Sequence, residues 1–269
     1  MSEWCFTRLD PEEKLGLRGV KYTGVGNVGA MTLGVVLAAL FYGVLTLLRQ
    51  RWHWAGLEMF FHGGAAGRSF IPYLTVLLSM WTTAILIFKR RKLRVQRSVL
   101  KLQLAQDAPE AMLRELENRV DAPDDFLATR RLKLELRRRC DGLSRVECAE
   151  MRKIAAEMDE KYLESTFTLP RGLIWAIPVT GFIGTVVGLA RAVGGFGMVL
   201  TGSGEQAARL RDALGSVTGA LAVAFETTLI ALAAALILQL LLTMQIKAEE
   251  DLLDAVPDFV DRNADGAQG

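Results

Sequence analysis

The sequence predicts an all-α integral membrane protein: four transmembrane helices, with a helical cytoplasmic domain between spans two and three. Three observations carry this. Hydrophobic residues make up 51% of the 269, and mean hydropathy is +0.25, which is high for a soluble globular chain. Charged residues still make up 23%, but they vacate four long stretches and crowd between them. Lysine and arginine are also distributed unevenly around those stretches, as membrane orientation demands.

A bilayer core about 30 Å thick needs roughly 20 apolar residues to cross it as a helix. The first charge-free stretch is 22–48, the second 69–88 and the third 171–191 with its flanking arginines; the fourth, 213–246, holds a single charge, Glu226. The strongest basic cluster (Lys89, Arg90, Arg91, Lys92, Arg94, Arg97) follows the second span and is expected to be cytoplasmic. Segment 1–21, with Arg8, Lys14, Arg18 and Lys21, and the tail 247–269 are then also inside, and the loops 49–68 and 192–212 outside. The first outer loop carries Trp52, Trp54, Phe60 and Phe61, aromatics suited to the headgroup level. The second is rich in glycine (Gly194, Gly195, Gly197, Gly202, Gly204) and is expected to be a flexible turn. No GK[ST] pattern supports reading it as a phosphate loop.

Between spans two and three, 89–170 reads as helices punctuated by Pro109, Pro123 and Gly142. Leu132, Leu134, Leu136 and Leu143 supply apolar positions among many charges, and 145–165 places Val146, Ala149, Ile154, Met158 and Leu163 at roughly helical spacing. Leu169 and Pro170 predict a kink or break at the membrane entrance. The basic run 137–139 reads as a solvated face, a contact with anionic lipid or a docking point for a partner.

Several function classes recede on composition alone. A net charge of +2 offers no bulk attraction to nucleic acid. Cys5, Cys140 and Cys148 have neither metal spacing nor an even-numbered framework and read as reduced thiols. The first 21 residues mix acids and bases without an apolar centre, so no cleavable signal peptide is expected. No nucleophile and base pair up, His53 and His62 stand alone in the outer loop, and neither enzyme chemistry, a cofactor nor a metal is expected. A small-molecule transporter would call for internal repeats or paired broken helices, which the sequence lacks.

The third span reads Pro178-x-x-Gly181-x-x-Gly184-Thr185-Val-x-Gly188, and the fourth Ala222-Val-Ala-Phe-Glu226-Thr227-Thr228-Leu-Ile-Ala231. The first resembles the proline followed by G-[LF]-[FI]-G-T-V-x-G of the MotA/TolQ/ExbB family of proton channels. The second is similar to that family's A-T-A-x-G-L-x-x-A-x-P stretch, with Thr228 on the threonine and Ala231 where glycine is usual. Strong resemblance covers 171–245. The motif is closer to TolQ and ExbB, and the four-span layout closer to MotA. Two departures stand out: Ile237 lies where a late proline is usual, and Glu226 sits later in its span than the membrane glutamate of TolQ and ExbB.

The resemblance implies a subunit of a proton-motive-force-driven energiser or rotary motor in the bacterial inner membrane. It implies a homopentamer around a dimer of a single-span MotB/TolR/ExbD-like partner, which supplies the titrating aspartate. Thr185 and Thr228 are the expected pore-lining hydroxyls. Each could equally bond its own helix backbone. Gly181, Gly184 and Gly188, with Pro178, and the pair Gly215 and Gly219 are expected to let helices approach closely. Glu226, the one ionisable group inside a span, must be protonated, paired or facing a wet cavity. It points about 200° from Thr228, with Thr180, Thr185 or Arg191 as candidate partners. The competing class is a non-conducting scaffold that recruits partners through its cytoplasmic helices.

Overall fold

The structure, a computed structural model, describes residues 4–5, 21–51, 60–61, 70–104, 108–200 and 206–264. The expectations for Arg8, Lys14, Arg18, Trp52, His53, Trp54, His62, Gly202 and Gly204 lie outside the described residues. The elements in order are β1 (Trp4–Cys5), α1 (Asn27–Arg51), α2 (Ile71–Val99), α3 (Pro109–Arg119), β2 (Val120–Asp121), a 3-10 turn (Pro123–Asp125), α4 (Leu127–Cys140), α5 (Arg145–Ser165), α6 (Thr168–Leu200) and α7 (Gln206–Ala264). Four candidate spans are long and apolar enough to cross a membrane, one each in α1 and α2 and one each within 146–194 and 217–264.

The chain divides into two compact units. The first, a polar unit, joins Met1–Ala30, Ile85–Leu169 and Leu242–Gly269. Its core gathers Met112 and Leu116 of α3, Leu132 and Leu136 of α4, and Leu252, Val256, Phe259 and Val260 of α7. The punctuation residues act locally. Pro109 opens α3 at a position where a missing N–H leaves nothing unsatisfied, and Pro123 opens the 3-10 turn. Gly142 takes φ +75 after α4, where the amides of Gly142 and Leu143 reach back to Arg139 O and Arg138 O at 3.2 Å; this 6→1, 5→2 pair is the Schellman stop, which favours glycine. Ser144 and Glu147 then form a reciprocal capping box that starts α5. The break at the membrane entrance falls at Thr166 and Phe167, and Pro170 sits in the first turn of α6.

Two lysines of the basic cluster are buried in this unit. Lys89 Nζ lies 3.0 Å from Glu249 Oε1, donates to Thr166 Oγ1 at 2.7 Å and stands 3.9 Å over the Phe167 ring. Glu249 is completed by Thr23 Oγ1 at 2.9 Å and Gln245 Nε2 at 3.2 Å. Lys92 Nζ donates to Gly24 O at 2.7 Å. Four segments of chain therefore meet on one ion pair: the turn before α1, the end of α2, the turn between α5 and α6, and α7. Reading the cluster only as an orientation signal missed this, because charge alone does not say which side chains point inward.

Other boundaries also shift. Tyr22 and Thr23, assigned to the first span, are buried in the polar unit, with Tyr22 at φ 56 in a turn. Within the tail expected at 247–269, residues 247–264 are helical, since α7 runs from Gln206 to Ala264 and its last turns enter the core. Gly194, Gly195 and Gly197, expected in a turn, continue α6 to Leu200. Within the basic run, Arg139 pairs with Glu135 at 3.4 Å and Arg137 with Glu117 at 3.8 Å.

The second, apolar unit joins Met31–Ala84 and Pro170–Leu241. There α1 and α2 meet at Gly34, where an added Cβ would lie 2.6 Å from Trp81 Cα. At the far end of α1, Phe41 meets Phe60 with ring centroids 5.6 Å apart, Tyr42 meets Phe61 at 5.9 Å, and Arg49 stands 5.4 Å over Phe61. The outward side chains Val35, Leu40, Leu47, Phe182, Leu229 and Leu236 are exposed and apolar, as a surface solvated by lipid must be.

Candidate functional site

The candidate site is built where α6 and α7 pack within the apolar unit. The glycines of α6 make it possible. A Cβ on Gly181 would lie 2.6 Å from Ala231 Cβ, one on Gly184 2.6 Å from Thr227 Oγ1, and one on Gly188 2.6 Å from Ala224 Cβ and 3.1 Å from Ala220 O. Real Cβ atoms do not approach so closely, so these three positions admit hydrogen only. The opposing stripe of α7 is Ala220, Ala224, Thr227 and Ala231, all buried and three or four residues apart. Without a hydrophobic effect between helices in lipid, such small-on-small contact supplies the dispersion energy of association. Pro178, just before the glycine face, lies inside α6 and removes one helix hydrogen bond.

The hydroxyls have specific places. Thr228 Oγ1 donates across the pair to Gly181 O at 2.9 Å and lies 3.3 Å from Ala224 O on its own helix. Thr185 Oγ1 donates to Phe182 O at 2.7 Å within α6. Thr180 bonds Ile177 O at 2.7 Å and meets Thr75 Oγ1 of α2 at 3.2 Å. The pairing of 181 with 228 and 231, and of 184 with 227, sets Thr185 level with Glu226 and Thr227. Thr228, one residue on, lies only about 1.5 Å further along the axis.

Thr227, which sequence reasoning passed over, occupies the centre of the interface and donates to Ala224 O at 2.9 Å. Glu226 and Thr228 flank it, each about 100° round the helix, and both are partly buried. The expected divergence of these two side chains is therefore a divergence to the two edges of the α6 contact. Gly215 and Gly219 differ from the α6 glycines: among the described residues no atom lies within 4 Å of a Cβ built on either. Among the described residues no group of three or more His, Cys, Asp and Glu could hold a metal ion.

Four candidate spans, an outward apolar surface and a glycine-faced helix pair define a multi-pass membrane protein built for close helix packing. The chain belongs to the MotA/TolQ/ExbB proton channel family, whose family model matches residues 119–253, half of the chain. No curated protein and no solved structure gives a match.

Proposed function

We propose that this chain is the channel and ring subunit of a proton-driven energiser in the bacterial inner membrane. Five copies surround a dimer of a single-span MotB/TolR/ExbD-like protein, which supplies the titrating aspartate. The observation that carries the reading is the α6–α7 pair, lying largely within the stretch the family model matches and stiffened by three glycine contacts and the Thr228 bond. A wall of this kind can hold its shape while a partner helix moves against it. Gly215 and Gly219, which meet no neighbour among the described residues, are then surfaces for a neighbouring copy. The test is co-reconstitution in liposomes with a pH-sensitive dye: proton uptake under an imposed potential is expected with both proteins and with neither alone. Native mass spectrometry is expected to find five copies. A monomer or dimer in both mild detergent and nanodiscs would overturn the ring.

Both chain ends and 89–170 are cytoplasmic in this reading. Single-cysteine variants probed with an impermeant maleimide are expected to label within 100–160 only from the cytoplasmic side. Labelling from outside reverses the topology.

Thr185 and Thr228 line the proton path in this proposal, each offering lone pairs after donating its proton. Thr185→Val and Thr228→Val are expected to reduce flux tenfold or more, about 1.4 kcal/mol, with the ring intact. Thr228→Val also loses the bond to Gly181 O, about 0.6 kcal/mol of stability inside a membrane. Flux unchanged in both variants would leave these hydroxyls a packing role only. Glu226 is assigned a structural part, so Glu226→Gln is expected to conduct as wild type. A Gln variant that assembles but no longer conducts would make it a relay.

A further inference from the structure

A groove in the polar unit lies outside everything the channel reading uses. It runs between α4 and α5, with a volume of about 670 Å³, and is floored by Tyr22, Leu134, Met151, Ile154 and Met158. On α5 the lining residues recur at 151, 154, 158 and 162, one face of three helical turns or about 16 Å. Ile154 is 58%, Met158 67% and Met151 43% exposed, on the open side of a unit that also has a closed apolar core. Exposed methionine in an open trough between two helices suits a surface that repacks around an incoming apolar side chain.

The rim is charged in one sense. Lys21, Arg130, Arg131 and Arg138 line the groove against one carboxylate, Asp159. That carboxylate is already held by Arg131 at 2.8 Å and Arg130 at 3.7 Å, and Arg130 also bonds the Tyr22 hydroxyl. The groove thus presents an apolar floor the length of a short helix beneath a cationic edge. We propose that it is a docking site for an amphipathic helix of another protein, one that seats an apolar stripe on Met151, Ile154 and Met158 and directs acidic residues at Lys21 and Arg138. Helix-in-groove recognition uses apolar residues at i, i+3 or i+4, and i+7, the spacing found along α5. Charge complementarity selects the acidic helix over a basic one.

The test uses the full chain in nanodiscs of neutral lipid and a fluorescein-labelled designed peptide of about 15 residues, long enough to span three turns. The peptide carries leucine at i, i+3/i+4 and i+7 with glutamate on both flanks; a counterpart carries lysine instead. Saturable anisotropy is expected with the glutamate peptide, and binding at least tenfold weaker with the lysine peptide. Ile154→Glu is expected to abolish the signal and the pair Lys21→Glu/Arg138→Glu to weaken it at least tenfold, while circular dichroism stays unchanged because Ile154 and Lys21 are exposed and Arg138 is only half-buried. Equal affinity for the two peptides, or binding that survives Ile154→Glu, overturns the proposal. Native mass spectrometry of Ile154→Glu covers a second occupant: loss of the oligomer would assign the groove to a neighbouring copy. A third arm replaces the peptide with phosphatidylglycerol vesicles; vesicle binding lost in Lys21→Glu/Arg138→Glu, with no peptide binding, would assign it to the membrane surface.

Discussion

Lys89→Met is expected to destabilise the folded chain by about 3–5 kcal/mol, because it leaves the buried Glu249 carboxylate without its cation. In the folded chain both side chains of this pair are almost wholly buried, 1% and 3% exposed. At about 2–4 °C per kcal/mol for a chain of roughly this size, the melting temperature should fall by about 10 °C. Glu249→Leu should cost a similar amount by stranding Lys89. The informative variant is Lys89→Met/Glu249→Leu. Exchanging a buried ion pair for apolar residues of similar volume is often neutral or better, but here Thr23, Thr166 and Gln245 would each lose a partner. Recovery is therefore expected to stop about 1–2 kcal/mol short of wild type. Arg97→Ala supplies the comparison, since its pair with Asp251 is about half exposed on both sides and should contribute about 1 kcal/mol or less. Thermal unfolding in detergent, followed by circular dichroism, reads all four. If Lys89→Met proves no worse than Arg97→Ala, the buried pair has no special part in the fold.

That ion pair also marks the limit of what the sequence discloses. Hydropathy pointed to four apolar helices, and the structure has four candidate spans, because a charge-free run of some 20 residues has few other uses. Proline and glycine located the helix ends of the polar unit, because Pro109, Pro123 and Gly142 act through their own backbone. Burial of Lys89 and Lys92 depends on partners as far away as Glu249, 160 residues on, and no local pattern announces it. The end of α7 was legible and was missed. Leu252, Val256, Phe259 and Val260 repeat at helical spacing, but their position after the last span invited reading them as a tail.

The candidate site divides in the same way. The glycine motif pointed to close approach, and Gly181, Gly184 and Gly188 are where helices touch. The resemblance directed attention to Thr228 and away from Thr227, although Ala220, Ala224, Thr227, Ala231 and Ala235 form a small-residue stripe readable without any relative. Spacing could not distinguish Gly215 and Gly219, which meet nothing among the described residues, from the packed glycines. A four-residue interval gives a face to a helix but does not say what that face meets.

The second large effect is expected at Gly188. Gly188→Leu would drive a four-carbon side chain into Ala224 and toward the Ala220 carbonyl, and overpacking of this kind costs about 3 kcal/mol. Backbone resists more than a flexible side chain would, so the helices must separate, and the bond from Thr228 to Gly181 O should break with them. Gly188→Ala is gentler: the clash, about 1–3 kcal/mol, is partly offset by about 1 kcal/mol of helix propensity. The decisive variant is the exchange Gly188→Ala/Ala224→Gly, which moves one methyl group from α7 to α6 across the same contact. The exchange is expected to recover most of the loss, with thermal stability and native oligomer mass near wild type, whereas Ala224→Gly alone is destabilising through the cavity and the flexible backbone. Gly215→Ala is the control; with nothing among the described residues within 4 Å of its Cβ, it should leave the isolated subunit as stable or more so. A Gly188→Leu variant that melts like wild type would mean that α6 and α7 do not touch at this point.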